Sequence, residues 1–168
     1  MSVEDLKIAA IELRSEIGVV HHQSIQNIDL LWARRFALAT GETDLIYFDE
    51  KLACSIGWRG MPISPLMLSS TRSWEHGPTN ENLALDGTPL YGVGFPSQRN
   101  LRSLGGGQKL KWVDDVVVGD EISTTSKVVD VIEKTGSRGD MLLVEVERCF
   151  YGVDGKIKLT CSEQRILR

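Results

Sequence analysis

The sequence lacks the features that mark several classes of protein. Its 168 residues include three cysteines and carry a formal net charge of −4. Three cysteines cannot complete a disulfide framework, and an acidic chain is a poor match for the phosphate backbone of nucleic acid. No apolar run approaches the roughly 18–20 residues that span a bilayer. The N-terminal residues Met1 to Asp5 lack the basic and apolar regions of a secretory signal. We therefore expect a cytoplasmic protein with neither a membrane nor a nucleic-acid partner.

What is present is an ordinary globular composition. Hydrophobic residues make up 42% of the chain and charged residues 25%, which disfavours disorder. The length suits one domain with a single sizeable core, so we assign residues 1–168 to one domain. The cysteine spacing matches no zinc motif, and no metal site is expected.

The first half of the chain shows helical periodicity. Apolar residues recur at helical spacing through residues 1–17, and a short strand is predicted over 19–25. The clearest helix is predicted over 27–40, with Asn27 as a possible N-cap and Gly41 just past the end. A second, short helix is predicted over 49–57.

An irregular excursion is predicted over residues 58–104, with a short helix around 66–74. This stretch contains all five prolines of the chain, Pro62, Pro65, Pro78, Pro89 and Pro96. Irregular segments of this length inside a compact domain are usually functional.

From residue 107 onward the sequence predicts an antiparallel sheet, with strands over 108–113, 121–134, 141–151 and 156–167. Asp154-Gly155 between the last two is a strong hairpin signal. A two-residue turn there places Phe150 opposite Leu159 and Gly152 opposite Ile157. It also places Cys149 and Cys161 on opposite faces, because successive side chains alternate along a strand. A disulfide between them is therefore disfavoured. The fold class is α+β.

Three motifs resemble one known family. Residues 33–50 are similar to the central helix and following loop of MaoC-like (R)-specific hydratases, where Ala-x-x-Gly runs into Asp-x-Asn-Pro-x-His-x-Asp. Residues 57–65 resemble the family's glycine-then-proline stretch. Residues 107–112, followed by Val118-Gly119-Asp120, resemble the strand before its Gly-Asp turn. The resemblance implies a hot-dog fold, in which a curved antiparallel sheet wraps a central helix.

The resemblance also implies a chemistry. In this family a histidine acts as base toward water, an aspartate handles the other proton, and backbone N–H groups hold the thioester oxygen. The substrate is an acyl-CoA or acyl carrier protein thioester, and no further cofactor is implied.

The sequence departs from the family at its catalytic positions. Glu42 stands at the aspartate, Asp44 at the asparagine and Tyr47 at the histidine. Tyrosine, with an ordinary pKa near 10, is a poor base for water at pH 7. The pattern resembles the family's degenerate, N-terminal-type half, as found in heteromeric dehydratases. That resemblance implies a non-catalytic subunit that shapes the acyl tunnel for a hot-dog partner carrying the Asp/His dyad, and an isolated chain without activity.

Two alternatives stay open. One is a self-sufficient homodimeric hydratase that uses Glu42 or Asp44 with Tyr47. The other is an acyl-CoA-binding protein without turnover. In every case we expect the substrate to contact a set of residues in or beside the excursion, namely Trp58, Gly60, Pro62, Trp74 and Gly107. Trp32 is expected in the core.

Overall fold

The computed structural model describes residues 3–70, 79–84, 87–97, 101–137 and 139–168. Four helices are described: α1 (Val3–Ser15), α2 (Leu30–Ala39), α3 (Glu50–Ser55) and α4 (Met67–Ser70). The strands are β1 (His21–Asn27), β2 (Ser103–Trp112), β3 (Glu121–Gly136), β4 (Gly139–Gly152) and β5 (Ile157–Leu167). The α+β class is confirmed. No helix among these residues is both long and apolar enough to cross a membrane.

The strands form one antiparallel sheet in the order β1-β3-β4-β5-β2. β3, β4 and β5 follow one another along the chain, so short turns connect the centre of the sheet. β1 and β2 lie at its two edges. Beyond β5, β2 has no further strand partner among the described residues. One long sheet edge is therefore open in the described part of the chain.

Both long helices cover the same face of the sheet. Alternate residues of β4 and β5 point to this face, as the period of a strand requires. α1 packs its buried Leu6, Ala9, Ala10 and Leu13 in a cluster with Val144 and Leu167. α2 contributes Ala33 to a second cluster, which contains Phe150 and Leu159. The core is thus divided into two apolar regions along the strands.

The predicted helix over 27–40 is shorter than expected. Asn27 ends β1, and the N-cap is Asp29, whose carboxylate accepts a hydrogen bond from the Trp32 amide at 2.9 Å. Trp32 packs against the core, as predicted. Leu31 of α2 is 55% exposed although it is apolar. The apolar residues of α2 therefore do not all lie on the face that packs against the core of the single chain.

The position of the β4–β5 hairpin is confirmed, but its turn differs from the predicted two-residue turn. Cys149 pairs with Thr160 and Arg148 with Cys161, so Cys149 and Cys161 lie on opposite faces, as predicted, and all three cysteines are free. The connection, however, bulges: Phe150 pairs with Leu159, whereas Ile157 pairs with Tyr151 instead of Gly152. The Gly152 amide donates to the Lys156 carbonyl at 3.0 Å, and Gly155 has φ +71°. The turn therefore takes three residues, a common hairpin form with a left-handed glycine.

The excursion is smaller than predicted at its C-terminal end, because β2 begins at Ser103 and includes the three glycines 105–107. Of the helix predicted around 66–74, α4 accounts for Met67–Ser70, and residues 71–78 lie outside the described part of the chain. The predicted strand starts only at residue 108, after these three glycines, but pairing with β5 holds them extended, with a bulge between Gly105 and Gly107.

Candidate functional site

The loop that follows α2 carries Glu42, Asp44 and Tyr47, the three residues that the sequence resemblance predicts at the family's catalytic positions. The Glu42 amide donates to the Ala37 carbonyl at 3.0 Å, which ties the loop to the end of the helix. The Asp44 carboxylate accepts a hydrogen bond from the Ile46 amide at 3.1 Å and caps a short 3-10 turn, Leu45–Tyr47. Asp44 is therefore occupied as a turn residue, and the cap places Tyr47 at the end of that turn.

Glu42 has a partner that the sequence did not reveal. The hydroxyl of Ser64 donates to the Glu42 carboxylate at 2.8 Å, and Ser64 is buried, with 2% exposure. The only signal in the sequence is a serine between Ile63 and Pro65 in the proline-rich stretch. The hydrogen bond links the loop after α2 to the excursion and fixes the direction of the Glu42 carboxylate.

Tyr47 lies in an environment that favours its neutral phenol. Partial burial raises its pKa above the ordinary value, and the negative charges of Glu42 and Asp44 raise it further. At neutral pH the phenol therefore keeps its proton. Tyr47 can donate a hydrogen bond to a ligand, but it cannot abstract a proton from water as a neutral imidazole does.

A cleft of about 310 Å³ opens beside Tyr47. We call it the aromatic cleft, since Trp58 and Trp112 also line it. The remaining described lining residues are Pro62, Ile63, Pro65, Val113, Asp114, Asp115 and Val116. Tyr47, Trp58 and Pro62, named from the sequence, are thus brought together. Trp112 and the two aspartates were missed, because the end of β2 is distant in sequence from the loop after α2.

The wall of the aromatic cleft is held by backbone pairing between the excursion and the segment before β3. The Ile63 amide donates to the Val116 carbonyl at 3.3 Å, and the Val118 amide donates to the Met61 carbonyl at 2.9 Å. Pro62 and Val117 form an isolated antiparallel bridge. These contacts set Pro62 and Val116 beside one another in the lining.

An ion pair also stabilises this wall of the aromatic cleft. Arg59 donates to both carboxylate oxygens of Asp120, through Nη1 at 2.7 Å and through Nη2. Nη2 also donates to the Asp115 carbonyl at 3.1 Å. Asp120 accepts in addition from the Val117 amide at 3.0 Å. Arg59 follows Trp58 directly, so this bidentate pair holds one tryptophan of the cleft in place.

The other residues predicted to touch substrate lie elsewhere. Gly60 is buried behind the wall, where an added Cβ would meet Val117 Cγ2 at 3.2 Å. Gly107 belongs to β2 and is not among the described lining residues. Trp74 falls outside the described residues, as does His76. Substrate contact by Trp58 and Pro62 stays a prediction.

No histidine of the described chain lies at the cleft. His21 and His22 belong to β1 and pair with Ser126 and Thr125 of β3. Among the described residues there is also no group of three or more histidine, cysteine and acidic side chains that would hold a metal ion. The chemistry available at this site is therefore that of a phenol, carboxylates, a hydroxyl and aromatic faces.

Comparison with known families gives one assignment. Residues 15–158 match the family described as FAS1-like, dehydratase domain region. No curated protein sequence matches the chain.

Solved structures add the fold. The HadBC (3R-hydroxyacyl-ACP dehydratase) complex from Mycobacterium tuberculosis aligns with TM-score 0.67 and 14% identity over 90% of this chain and 96% of that one. The ChsH1-ChsH2 complex from the same organism aligns with TM-score 0.70 and 12% identity over 98% and 92%. A MaoC-like dehydratase from Rhodospirillum rubrum aligns with TM-score 0.62 and 17% identity over 99% and 96%. These likenesses confirm the hot-dog fold.

Proposed function

Because the chain belongs to the FAS1-like dehydratase domain region family, within the MaoC-like hydratase/dehydratase hot-dog proteins, we propose that it is the non-catalytic subunit of a heteromeric enzyme. That enzyme adds water to a 2-enoyl thioester, or removes it from a 3-hydroxyacyl thioester. The catalytic Asp/His dyad comes from a partner hot-dog chain. This subunit completes the fold and shapes the acyl tunnel through Trp58 and Pro62.

The observation that carries the proposal is the neutral phenol of Tyr47 at the family's histidine position. Its pKa is raised by burial and by Glu42 and Asp44, which moves it further from the range useful to a general base near pH 7. The neighbouring acidic groups are also committed: Asp44 caps the turn, and Glu42 accepts from Ser64. The loop after α2 therefore carries no histidine that could serve as the base.

The need for a partner is supported by the open edge of β2. Its residues from Leu104 to Lys109 are exposed, and unpaired N–H and C=O groups along a strand are a template for pairing with another chain. Two of the similar structures are named as complexes, HadBC and ChsH1-ChsH2. We therefore propose that β2 joins this chain to a second hot-dog domain.

The test is hydration of a 2-enoyl-CoA and of a 2-enoyl acyl carrier protein by the purified chain and by its complex with a hot-dog chain that has the Asp/His dyad. We expect background rates for the chain alone and turnover for the complex, because one general acid–base group contributes about 10²–10⁴-fold. Comparison of the rates with the two substrates shows whether the acyl group is carried by coenzyme A or by acyl carrier protein.

Variants separate this function from the self-sufficient alternative. In the complex, Tyr47→Phe should leave kcat nearly unchanged, since the hydroxyl has no proton to transfer. Replacing the partner's histidine should abolish turnover. Robust hydration by the chain alone, lost in Tyr47→Phe or Glu42→Gln, would overturn the proposal and establish a self-sufficient hydratase.

A further inference from the structure

The lining of the aromatic cleft includes two aspartates, whose charge an apolar acyl chain does not need. The aromatic residues Trp58, Trp112 and Tyr47 line the cavity together with Asp114 and Asp115. No lysine, arginine or histidine is among the described lining residues. Indole and phenol faces carry negative electrostatic potential, so they attract cations. The aromatic residues and the aspartates of the lining therefore both favour a positively charged ligand.

The nearby cations are already paired. Lys158 forms an ion pair with Asp114, and Arg59 binds both oxygens of Asp120. Asp115 offers its carbonyl to Arg59, but its carboxylate makes no ion pair with any described residue. Asp115 as a residue is exposed and belongs to the lining of the cleft.

The cleft is also held in shape. Trp112 ends β2 opposite Leu159, and the next residue, Val113, donates its amide to the Lys158 carbonyl at 2.8 Å. The Trp58 amide donates to the Ala53 carbonyl at 3.1 Å. Binding to such a site orders few groups, which lowers its entropic cost.

We propose that the aromatic cleft binds a small organic ammonium ion, with the tryptophans covering its alkyl groups and Asp115 facing its charge. The volume of about 310 Å³ is at the lower end of ligand pockets, roughly 300–1,000 Å³. A polyphosphate such as the nucleotide end of coenzyme A is disfavoured here, because like charges repel. The proposal concerns binding alone and does not depend on the dehydratase role.

Choline and its neutral isostere 3,3-dimethylbutan-1-ol provide the test. Calorimetric titration of the full chain, alone or with the partner it copurifies with, should show saturable binding of choline. The isostere has the same shape without the charge. We expect it to bind at least about tenfold more weakly, as expected for a desolvated cation–aromatic contact reinforced by a carboxylate. Equal affinities, or no choline binding, would overturn the proposal.

Substitutions locate the site. Asp115→Asn removes the charge from an exposed residue and should weaken choline binding about tenfold without altering the isostere. Trp112→Leu should weaken both ligands. Asp140→Asn, at the distant β3–β4 turn, is the matched control and should change neither. Choline binding that survives Asp115→Asn unchanged contradicts the proposal even where Trp112→Leu fails to fold. Thioester hydration is a separate assay, so failure of one proposal does not decide the other.

Discussion

At the scale of single residues, the phenol of Tyr47 limits the acid–base chemistry that the loop after α2 can carry out. A histidine changes protonation near neutral pH, whereas a tyrosine does so near pH 10. The surroundings of Tyr47 strengthen this difference, since burial and the charges of Glu42 and Asp44 all oppose formation of the phenolate. The same acidic neighbours that would assist an imidazolium suppress the ionisation of a phenol.

The raised pKa of Tyr47 predicts a measurable titration. The phenolate of Tyr47 should form above the pH at which a free tyrosine amide ionises. The difference in near-ultraviolet absorbance between the wild type and Tyr47→Phe isolates this group. A difference curve with an ordinary midpoint would contradict the environment described for Tyr47.

The free energy of unfolding should also depend on the ionisation of Tyr47. Because the pKa is raised on folding, the neutral phenol's contribution is fully present below about pH 10, where the unfolded tyrosine ionises. It is lost as pH rises through the folded pKa. The free energy of unfolding of the wild type should therefore fall more steeply in that alkaline range than that of Tyr47→Phe, as measured by urea unfolding.

At the scale of elements, residues 92–97 form a strap across the helix-covered face of the sheet. Arg165 of β5 donates to the Val93 carbonyl at 2.6 Å and lies 4.0 Å from the centroid of the Phe95 ring. At the other end, the Ser97 amide and hydroxyl donate to Glu12 of α1 at 3.0 and 2.9 Å. The strap thereby joins β5 to α1.

Three buried charged side chains of β4 and β5 form an ionic cluster under the strap. Glu163 accepts from Arg148 through one carboxylate oxygen and from Arg165 through the other, the latter at 3.1 Å. All three residues are at most 8% exposed. Such groups are retained where their geometry is satisfied, since removing one partner leaves a buried charge. Because Arg148 belongs to this cluster, the alternation of apolar residues along β4 is interrupted at that position.

Gly94 gives the strap a sharp test. An alanine at Gly94 would place its Cβ 2.7 Å from Val146 Cγ2, at φ +75°. Gly87 has nearly the same φ, +78°, with no neighbour within 4 Å. Gly87→Ala should cost about 1–2 kcal/mol for the left-handed backbone, and Gly94→Ala about 1–3 kcal/mol more for the overlap. Urea unfolding of both variants gives the comparison, and equal losses would show that the strap does not pack on β4.

At the scale of the whole molecule, the sheet is covered on one face and open along β2. The exposed Leu104 near the start of this strand, at 39%, and Val113 just past its end, at 57%, are apolar residues that a second domain would cover. The exposed residues Leu31 and Leu38 of α2 add to the apolar surface that the single chain leaves uncovered.

Assembly through β2 predicts a position-dependent effect of charge. Leu104→Glu should weaken the complex by about tenfold or more, because an unpaired charge at a covered interface is costly. Ile11→Glu places the same charge on the outer surface of α1, at a residue 71% exposed, and should have no effect. Sedimentation of the complex over a range of concentrations measures both. A Leu104→Glu complex as tight as the wild type would exclude this edge as the interface.

Much of the secondary structure follows from local sequence. The 3.6-residue spacing of Leu6, Ala9, Ala10 and Leu13 is sufficient for α1, and alternation with Asp154-Gly155 is sufficient for the β4–β5 hairpin. Local signals failed where long-range pairing decided the outcome. Gly105 to Gly107 precede the predicted strand, yet β5 holds them in a strand, and the bulge at Tyr151 changed the turn.

The sequence by itself determined the α+β class, the family-like order of motifs and the tyrosine at position 47, because each is carried by neighbouring residues. The tertiary structure alone decided which distant residues share a site. Ser64 donates a hydrogen bond to Glu42, and Trp112 and Asp115 line the same cleft as Tyr47 and Trp58. Periodicity and turn chemistry describe a chain over a few residues, whereas a cleft is formed by segments that packing brings together.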